Sequence, residues 1–176
     1  MKKLLTMAIL ASGLMASIHV NAQSEEDKSK RPSPPAKVTQ KINSGATISI
    51  DYSQPSVKGR TIGKDLEPKD GQVWRTGANE ATVFATDRDV TVDGKKLAAG
   101  KYGLFTLFTG KEVTVIFNKT WNQWGAFKYK EGEDALRVKT KYTDASSPSE
   151  KMTFTISPEG VVTLLWGNRK VDFKVH

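Results

Sequence analysis

The chain has 176 residues, of which 38% are hydrophobic and 9% aromatic, and its formal net charge is +8. This length has room for one ordinary domain. The sequence contains no cysteine, which excludes disulfides, thiolate metal sites and cysteine nucleophiles. The two histidines, His19 and His176, lie close to the two ends of the chain, so neither a serine triad nor a histidine-rich zinc site is expected. No pattern indicates a cofactor or a metal.

The first residues have the pattern of a secretory signal peptide. Lys2 and Lys3 precede a largely apolar run from position 4 to about position 20, and Ala22 follows at a position suited to signal peptidase. We expect a signal peptide over residues 1–22 and export to the periplasm or the exterior. The alternative is an uncleaved membrane anchor. After signal removal no membrane span is expected.

The segment that follows predicts a disordered linker over residues 23–36. It is rich in charge and proline and has no large apolar side chain, so it cannot bury enough surface to offset the entropy of ordering. The basic excess of the remaining chain is spread among apolar residues, as on solvated strand faces, and does not form a stripe. We therefore expect no nucleic-acid partner.

From residue 37 onward the hydrophobic period is two, which predicts strands and no convincing amphipathic helix. A hairpin is expected between residues 102–108 and 112–118, and the first of these, apolar on both faces, is expected in the centre of a sheet. A short strand pair is expected around Asp93 and Gly94. Further strands are predicted at residues 48–52, 81–86, 136–142, 152–156, 161–166 and 171–175.

About nine short strands separated by turns indicate a single all-β domain over residues 37–176, an antiparallel β-sandwich or jelly roll. The stretch from Leu97 to Tyr102 has the spacing of a tyrosine corner, in which a tyrosine hydroxyl bonds to upstream backbone. This motif favours Greek-key connections over an up-and-down barrel.

Four segments carry a resemblance to a known family. They are Tyr52-Ser53-Gln54-Pro55-Ser56-Val57-Lys58-Gly59-Arg60, Val73-Trp74-Arg75-Thr76-Gly77-Ala78-Asn79-Glu80-Ala81-Thr82, residues 97–106 and residues 118–126. Together they resemble the domain-of-unknown-function family numbered 2911, across roughly residues 40–175. The family usually has proline where this chain has Ala99. The resemblance implies an exported, β-rich bacterial domain, and it supplies no catalytic residues.

The segment from Trp74 to Glu80 is the first candidate site. Arg75 could grip a carboxylate or phosphate, Asn79 and Glu80 could fix a hydroxyl or an amine, and Trp74 offers a stacking face. Under the alternative, Trp74 closes one end of the sandwich, and Arg75 and Glu80 pair with each other or with Arg60 as an internal staple.

The second candidate is the run Trp121-Asn122-Gln123-Trp124, which is expected in a loop. Indole rings stack on the apolar faces of sugars while carboxamides bond their hydroxyls, so this composition suits a glycan. Under the alternative, Trp124 packs in the core and Trp121 is incidental.

Three functions remain open. The first is a non-catalytic exported module that binds a small polar or glycan ligand through Trp74–Glu80, Arg60 and Trp121–Trp124. The second is an envelope hydrolase that uses Glu80 as a catalytic carboxylate, with Arg75 or Arg60 beside it. The third is a structural or interaction module. Catalysis ranks below binding because no histidine or cysteine is well placed for it.

Overall fold

The structure is a computed structural model that describes residues 27–176. The predicted signal peptide, residues 1–22, and the first four residues of the predicted linker lie outside the described residues. Within residues 27–176, helical structure is restricted to two short 3-10 helices, Lys28–Lys30 and Glu131–Glu133.

The rest of the regular structure is strand, which confirms the all-β prediction. Ten strands are formed in the part of the chain that the structure describes. They are β1 (Pro35–Lys41), β2 (Thr47–Ser53), β3 (Val73–Trp74), β4 (Val83–Thr86), β5 (Val90–Val92), β6 (Lys95–Leu97), β7 (Gly100–Thr109), β8 (Glu112–Asn118), β9 (Asp134–Ile156) and β10 (Val161–Lys174).

Most strands belong to one antiparallel sheet in the order β1-β2-β4-β7-β8-β9-β10, with β3 paired to β7. β7 lies in the middle of this order and is buried over most of its length, as its two apolar faces predicted. A strand with sheet neighbours on both sides and packing on both faces has to be apolar on both. The remaining strands, β5 and β6, form a hairpin.

The sheet curls into a sandwich because β10 folds back on itself. The register of the β9–β10 pair shifts on either side of Gly167, whose φ of +57° suits glycine. Past this bend, the backbone N–H of Val175 donates to Gly160 O at 2.8 Å. At the far edge, Val57 N donates to Glu150 O at 2.8 Å, joining the residues after β2 to β9.

The inner faces of the two layers meet in one aromatic-rich core. Phe117 of β8 packs edge-on against Phe84 of β4, with ring centroids 5.0 Å apart, and against Phe173 of β10 at 6.0 Å. Tyr52 meets Phe154 in the same geometry at 5.1 Å. Burial of these rings together with the aliphatic side chains of the same core stabilises the fold, since apolar area removed from water drives folding and edge-to-face pairs add to it.

Two local predictions are confirmed at atomic detail. The hydroxyl of Tyr102 donates to Ala98 O at 3.0 Å, which is the bond of a tyrosine corner. Asp93 and Gly94 have φ values of +44° and +80° and connect β5 to β6, as a two-residue hairpin turn of the primed type requires.

The described part of the predicted linker contains regular structure. Residues 27–36 contain the first 3-10 helix and the start of β1, where Pro35 pairs with Ser53. These residues have regular structure although they carry no large apolar side chain. From Pro35 onward the chain pairs with β2, and the segment before it contacts Glu80 and Asn79 far along the chain. The individual strands also differ. β1 and β3 were not predicted, the segments 136–142 and 152–156 belong to one strand, β9, and the segments 161–166 and 171–175 belong to one strand, β10.

Candidate functional site

The first candidate segment forms a tight connection between β3 and β4. Thr76 and Asn79 both have left-handed backbones, with φ of +52° and +56°, which is unusual for a β-branched threonine. Buried hydrogen bonds hold this conformation: the hydroxyls of Thr76 and Thr106 lie 3.1 Å apart, and Thr82 Oγ1 donates to Thr76 O at 2.8 Å. The segment therefore presents its side chains from a rigid frame.

Trp74 lies in the core, with only 3% of its surface exposed. Its indole Nε1–H donates to Gly77 O at 3.0 Å. This is the position that the structural alternative expected for it. Trp74 nevertheless contributes to the lining of a cavity of about 190 Å³, together with Arg60, Arg75 and Trp166.

Arg75 does not pair with Glu80. Within residues 27–176 its guanidinium forms no hydrogen bond or ion pair, and its Nε is buried without a partner. Burial lowers the pKa of Arg75, and the nearby charge of Glu67 opposes this shift. Arg60 does not pair with Glu80 either: its Nε and Nη2 donate to Val57 O at 3.1 Å and Ser56 O at 2.8 Å. The internal staple of the structural alternative is therefore absent from the described residues.

Glu80 instead binds the segment that precedes β1. Arg31 Nη1 lies 3.0 Å from both carboxylate oxygens, and Lys28 Nζ lies 2.9 Å from one of them. Burial alone would raise the pKa of Glu80, but hydrogen bonds from Lys28, from the backbone and from Arg31 lower it to about 2. Asn79 Nδ2 donates to Ser33 O at 3.0 Å. Glu80 and Asn79 thus hold the start of the domain against the connection between β3 and β4.

The second candidate lies in a loop, which we call the aromatic loop (residues 119–130). Trp121 is 36% exposed, Trp124 50% and Phe127 84%, so the expectation under the alternative that Trp124 packs in the core is not met. Lys101 Nζ lies 5.2 Å from the Trp121 ring, and the Arg31 guanidinium lies 5.6 Å from the Trp124 ring. Both tryptophans therefore have a cation over the ring.

Buried amides hold the aromatic loop from inside. Gln123 is buried, donates through Nε2 to Thr120 O at 2.5 Å and accepts from Lys128 N at 2.9 Å. Asn118, which is fully buried, donates to Lys130 O at 2.9 Å and to Asp134 Oδ1 at 2.7 Å. Gln123 is thus a framework residue, whereas Asn122 is exposed and can reach a ligand.

The two candidate segments are neighbours joined by backbone hydrogen bonds. Ala81 N donates to Gln123 O and Gly125 N donates to Asn79 O, both at 2.9 Å. Trp74, however, lines a cavity to which the aromatic loop contributes no residue. The cavity beside Trp74 and the exposed aromatic surface are therefore distinct, but Arg75 adjoins both: it lines the cavity, and its Nη1 lies 3.5 Å from the Cβ position of Gly125 in the aromatic loop.

Sequence reasoning missed several residues of this region. Arg31 was assigned to a disordered linker, and nothing local identifies its partner because the carboxylate lies 49 positions away. Trp166, on the wall of the cavity, was read only as part of a strand. The exposed Phe127 could have been found, since an aromatic residue beside two tryptophans in a predicted loop is a signal for a binding surface.

Comparison with known families gives one result. Residues 33–175 match the model of a family described as a protein of unknown function, DUF2911. The chain belongs to this family. No curated protein and no solved structure matches the DUF2911 chain. None of the helices in residues 27–176 of this DUF2911 protein is long and apolar enough to cross a bilayer, and this part of the chain contains no group of three or more potential metal ligands.

Proposed function

We propose that this DUF2911 domain is an exported, non-catalytic module that binds a glycan on its aromatic loop. The observation that carries the proposal is the clustering of exposed rings. In the part of the chain that the structure describes, the exposed large hydrophobic side chains are Trp121, Trp124 and Phe127, all in this one loop. Contiguous apolar patches that are exposed to water mark interaction sites. The three exposed rings therefore support a binding surface on the aromatic loop.

The chemistry around the rings favours a sugar over an apolar partner. Asn122 lies between the two tryptophans and is exposed, so its carboxamide can donate to and accept from sugar hydroxyls. Arg31 and Lys101 add hydrogen-bond donors beside the rings of Trp124 and Trp121. Rings with polar groups at their edges suit a pyranose, which has apolar faces and a polar rim.

The loop is also preorganised for binding. The internal bonds of Asn118 and Gln123, and the bond from the Tyr129 hydroxyl to Asp134 Oδ2 at 2.8 Å, fix its backbone before any ligand arrives. Burial raises the pKa of Tyr129, and its hydrogen bond to Asp134 adds to this, so the phenol stays protonated and donating. A rigid loop loses little conformational entropy on binding, which favours affinity.

Export is part of the proposal and rests on the first 22 residues. N-terminal sequencing of the protein purified after expression with its own leader tests it. A chain that begins at Gln23 in a soluble envelope fraction supports cleavage after Ala22. A chain that keeps Met1 and sediments with membranes supports the anchor alternative instead.

One observation favours the hydrolase as a second candidate. Glu80 and Asp51 both line a cavity of about 170 Å³, together with Lys28. Two carboxylates across a cleft are the usual machinery of glycoside hydrolysis. That mechanism needs one carboxylic acid whose pKa is raised, however, and cationic neighbours lower the pKa of Glu80 to about 2. Asp51 is itself paired with Lys37 at 3.0 Å. Binding therefore remains the better-supported function.

The test is a fluorescence titration with soluble cello-, chito- and xylo-oligosaccharides and with muramyl peptidoglycan fragments. We expect a saturable change in wild type with at least one of these sugars, and at least about tenfold weaker binding in Trp124→Ala, equal to about 1.4 kcal/mol. Trp74→Phe is the control, because Trp74 lies outside the aromatic loop. The proposal fails if no sugar saturates or if Trp124→Ala binds as tightly as wild type. Release of reducing ends from a bound sugar, lost in Glu80→Gln, would support the hydrolase instead.

A further inference from the structure

The aromatic loop carries positive charge that it does not balance itself. Residues 119–130 contain three lysines and no aspartate or glutamate, and Lys101 of β7 brings a fourth ammonium group to 5.2 Å from the Trp121 ring. All four lysines are exposed, and within residues 27–176 none of their ammonium groups forms a salt bridge or a hydrogen bond. They are Lys101, Lys119, Lys128 and Lys130. Free ammonium groups therefore lie beside the exposed rings.

The ion pairs at the border of the loop cancel one another. On one side two cations share one carboxylate, and on the other side two carboxylates share one cation. These groups are Lys28, Arg31 and Glu80, and Glu131, Asp134 and Arg137. Among the residues that flank the loop in sequence, this leaves the carboxylate of Glu133. Four lysines against one carboxylate give a surplus of positive charge, whereas the surfaces of soluble proteins usually intersperse the two signs.

We propose that the glycan bound by the aromatic loop is acidic, with carboxylate or sulfate groups on its sugars. This inference rests on the proposed function, since it assigns a ligand class to the same surface. The exposed tryptophan rings stack on the apolar faces of the sugars, and the lysines donate to the anionic groups at their edges. An ammonium group is a compact charge that imposes no fork geometry, so carboxylate and sulfate both suit it.

Exposed rings beside lysines also occur on proteins that bind anionic membranes. Asn122 favours the glycan, because it is exposed between the two tryptophans. Insertion of both rings into lipid would carry its carboxamide out of water, where it would lack hydrogen-bond partners. Sugar hydroxyls instead supply such partners. Lipid vesicles are therefore a separate arm of the test.

Three pairs of oligosaccharides that differ in charge are the probes. Each pair has an acidic member and its neutral counterpart: oligogalacturonate and its methyl ester, a peptide-free muramyl tetrasaccharide and chitotetraose, and a carrageenan oligosaccharide and its desulfated form. The first two pairs report on carboxylates and the third on sulfates. Binding is followed by tryptophan fluorescence at constant ionic strength. We expect at least one acidic member to saturate the protein and to bind at least about tenfold more tightly than its counterpart.

The outcomes distinguish this inference from the proposed function. Equal binding of the two members of every pair overturns the inference but leaves glycan binding by the loop intact. Saturation by neutral sugars alone has the same meaning. No saturation by any sugar overturns both. Sedimentation of the protein with vesicles of phosphatidylglycerol and phosphatidylethanolamine, without binding of any sugar, assigns the lysines to a lipid surface and also overturns both.

The double variant Lys101→Gln/Lys128→Gln tests the lysines directly. Lys101 lies beside the Trp121 ring and Lys128 follows Phe127. Both side chains are exposed, so the variant should fold. We expect the affinity for the acidic member to fall at least about threefold, the scale of two exposed charge contacts, and that for the neutral member to change by less than about twofold. Equal losses for the two members overturn the inference.

The matched control removes the same charge at the other end of the β7–β8 hairpin. It is Lys69→Gln/Lys111→Gln, two exposed lysines. Lys111 lies in the turn of this hairpin, and Asp70, next to Lys69, accepts from the N–H of Gly110 in the same turn at 2.7 Å. The aromatic loop follows the opposite end of β8. A loss of acidic-glycan affinity in the control as large as in the test variant assigns the effect to net charge and overturns the inference.

Salt dependence tests the same point in wild type alone. The Debye length falls from about 10 Å at 0.1 M salt to about 3 Å at 1 M, which screens exposed charges. We expect the affinity for the acidic member to weaken at least about fivefold over this range, and that for its neutral counterpart to change by less than about twofold. The same salt dependence for both members overturns the inference.

Discussion

Arg31 and Glu80 form an ion pair across 49 positions of sequence, with Nη1 of the arginine 3.0 Å from both oxygens of the glutamate. The same guanidinium lies 5.6 Å from the exposed ring of Trp124. One side chain from a segment that resembles a linker therefore touches both parts of the candidate region. The start of the domain, the strained connection after β3 and the aromatic loop meet at this residue.

Glu80→Gln should release the segment before β1. The substitution removes the charge that holds Arg31 and Lys28, and we expect it to lower the free energy of unfolding by about 1 kcal/mol, the scale of a partly screened ion pair. Trypsin should also cleave earlier after Lys28 and Lys30, because the segment detaches from the domain more often. Glu131→Gln breaks the exposed pair with Arg137 and is the control. Equal trypsin sensitivity in the two variants would show that the Glu80 pair does not hold the segment.

The stability of the domain should depend on pH through Glu80. Its pKa in the folded state is about 2, below the ordinary value of 4.5, so its contribution is present above about pH 4.5 and is lost as the pH falls towards 2. Chemical unfolding at a series of pH values should show a smaller loss between pH 4.5 and 2 in Glu80→Gln than in wild type. Parallel curves for the two proteins would contradict this assignment.

Gly160→Ala should severely destabilise the sandwich. Gly160 has a φ of +84°, and a Cβ at this position would collide with the carbonyl oxygen of Val175, where β10 closes on itself. We expect a loss of more than about 3 kcal/mol, measured by denaturant unfolding. Gly110→Ala is the control, because Gly110 has a similar φ of +58° but nothing within 4 Å of its Cβ position. The free energy of unfolding of Gly110→Ala should fall by only about 1–2 kcal/mol. Equal losses in the two variants would show that the collision with the carbonyl oxygen of Val175 does not cause the destabilisation.

Asn118→Ala should unfold the aromatic loop before the rest of the domain. Its side chain is fully buried, and its removal takes one hydrogen bond each from Lys130 O, Asp134 Oδ1 and the N–H of Thr120. We expect the free energy of unfolding to fall by about 2–3 kcal/mol. We also expect faster amide hydrogen exchange confined to residues 119–130. Asn122→Ala, at an exposed position in the same loop, is the control and should change neither. Uniform exchange across the domain in Asn118→Ala would contradict a local role.

The sequence by itself determined the elements that depend on neighbouring residues. Alternation of apolar and polar side chains located the strands because a strand turns successive side chains to opposite faces. The Asp93-Gly94 turn and the tyrosine corner at Tyr102 were also predictable, because each depends on residues that lie only a few positions apart in the sequence. Membership of the DUF2911 family also followed from the strings around Trp74 and Trp121, which are linear patterns.

Only the tertiary structure decided which distant groups meet. A charge pattern does not say which of many cations a carboxylate takes, so the partner of Glu80 was expected among Arg75 and Arg60 and is Arg31 together with Lys28. The same holds for burial: Trp74 and Trp124 look alike in sequence, yet one is 3% exposed and the other 50%. Both outcomes depend on the path of the chain in three dimensions, which brings residues 28–31 to Glu80 and leaves Trp124 at the surface.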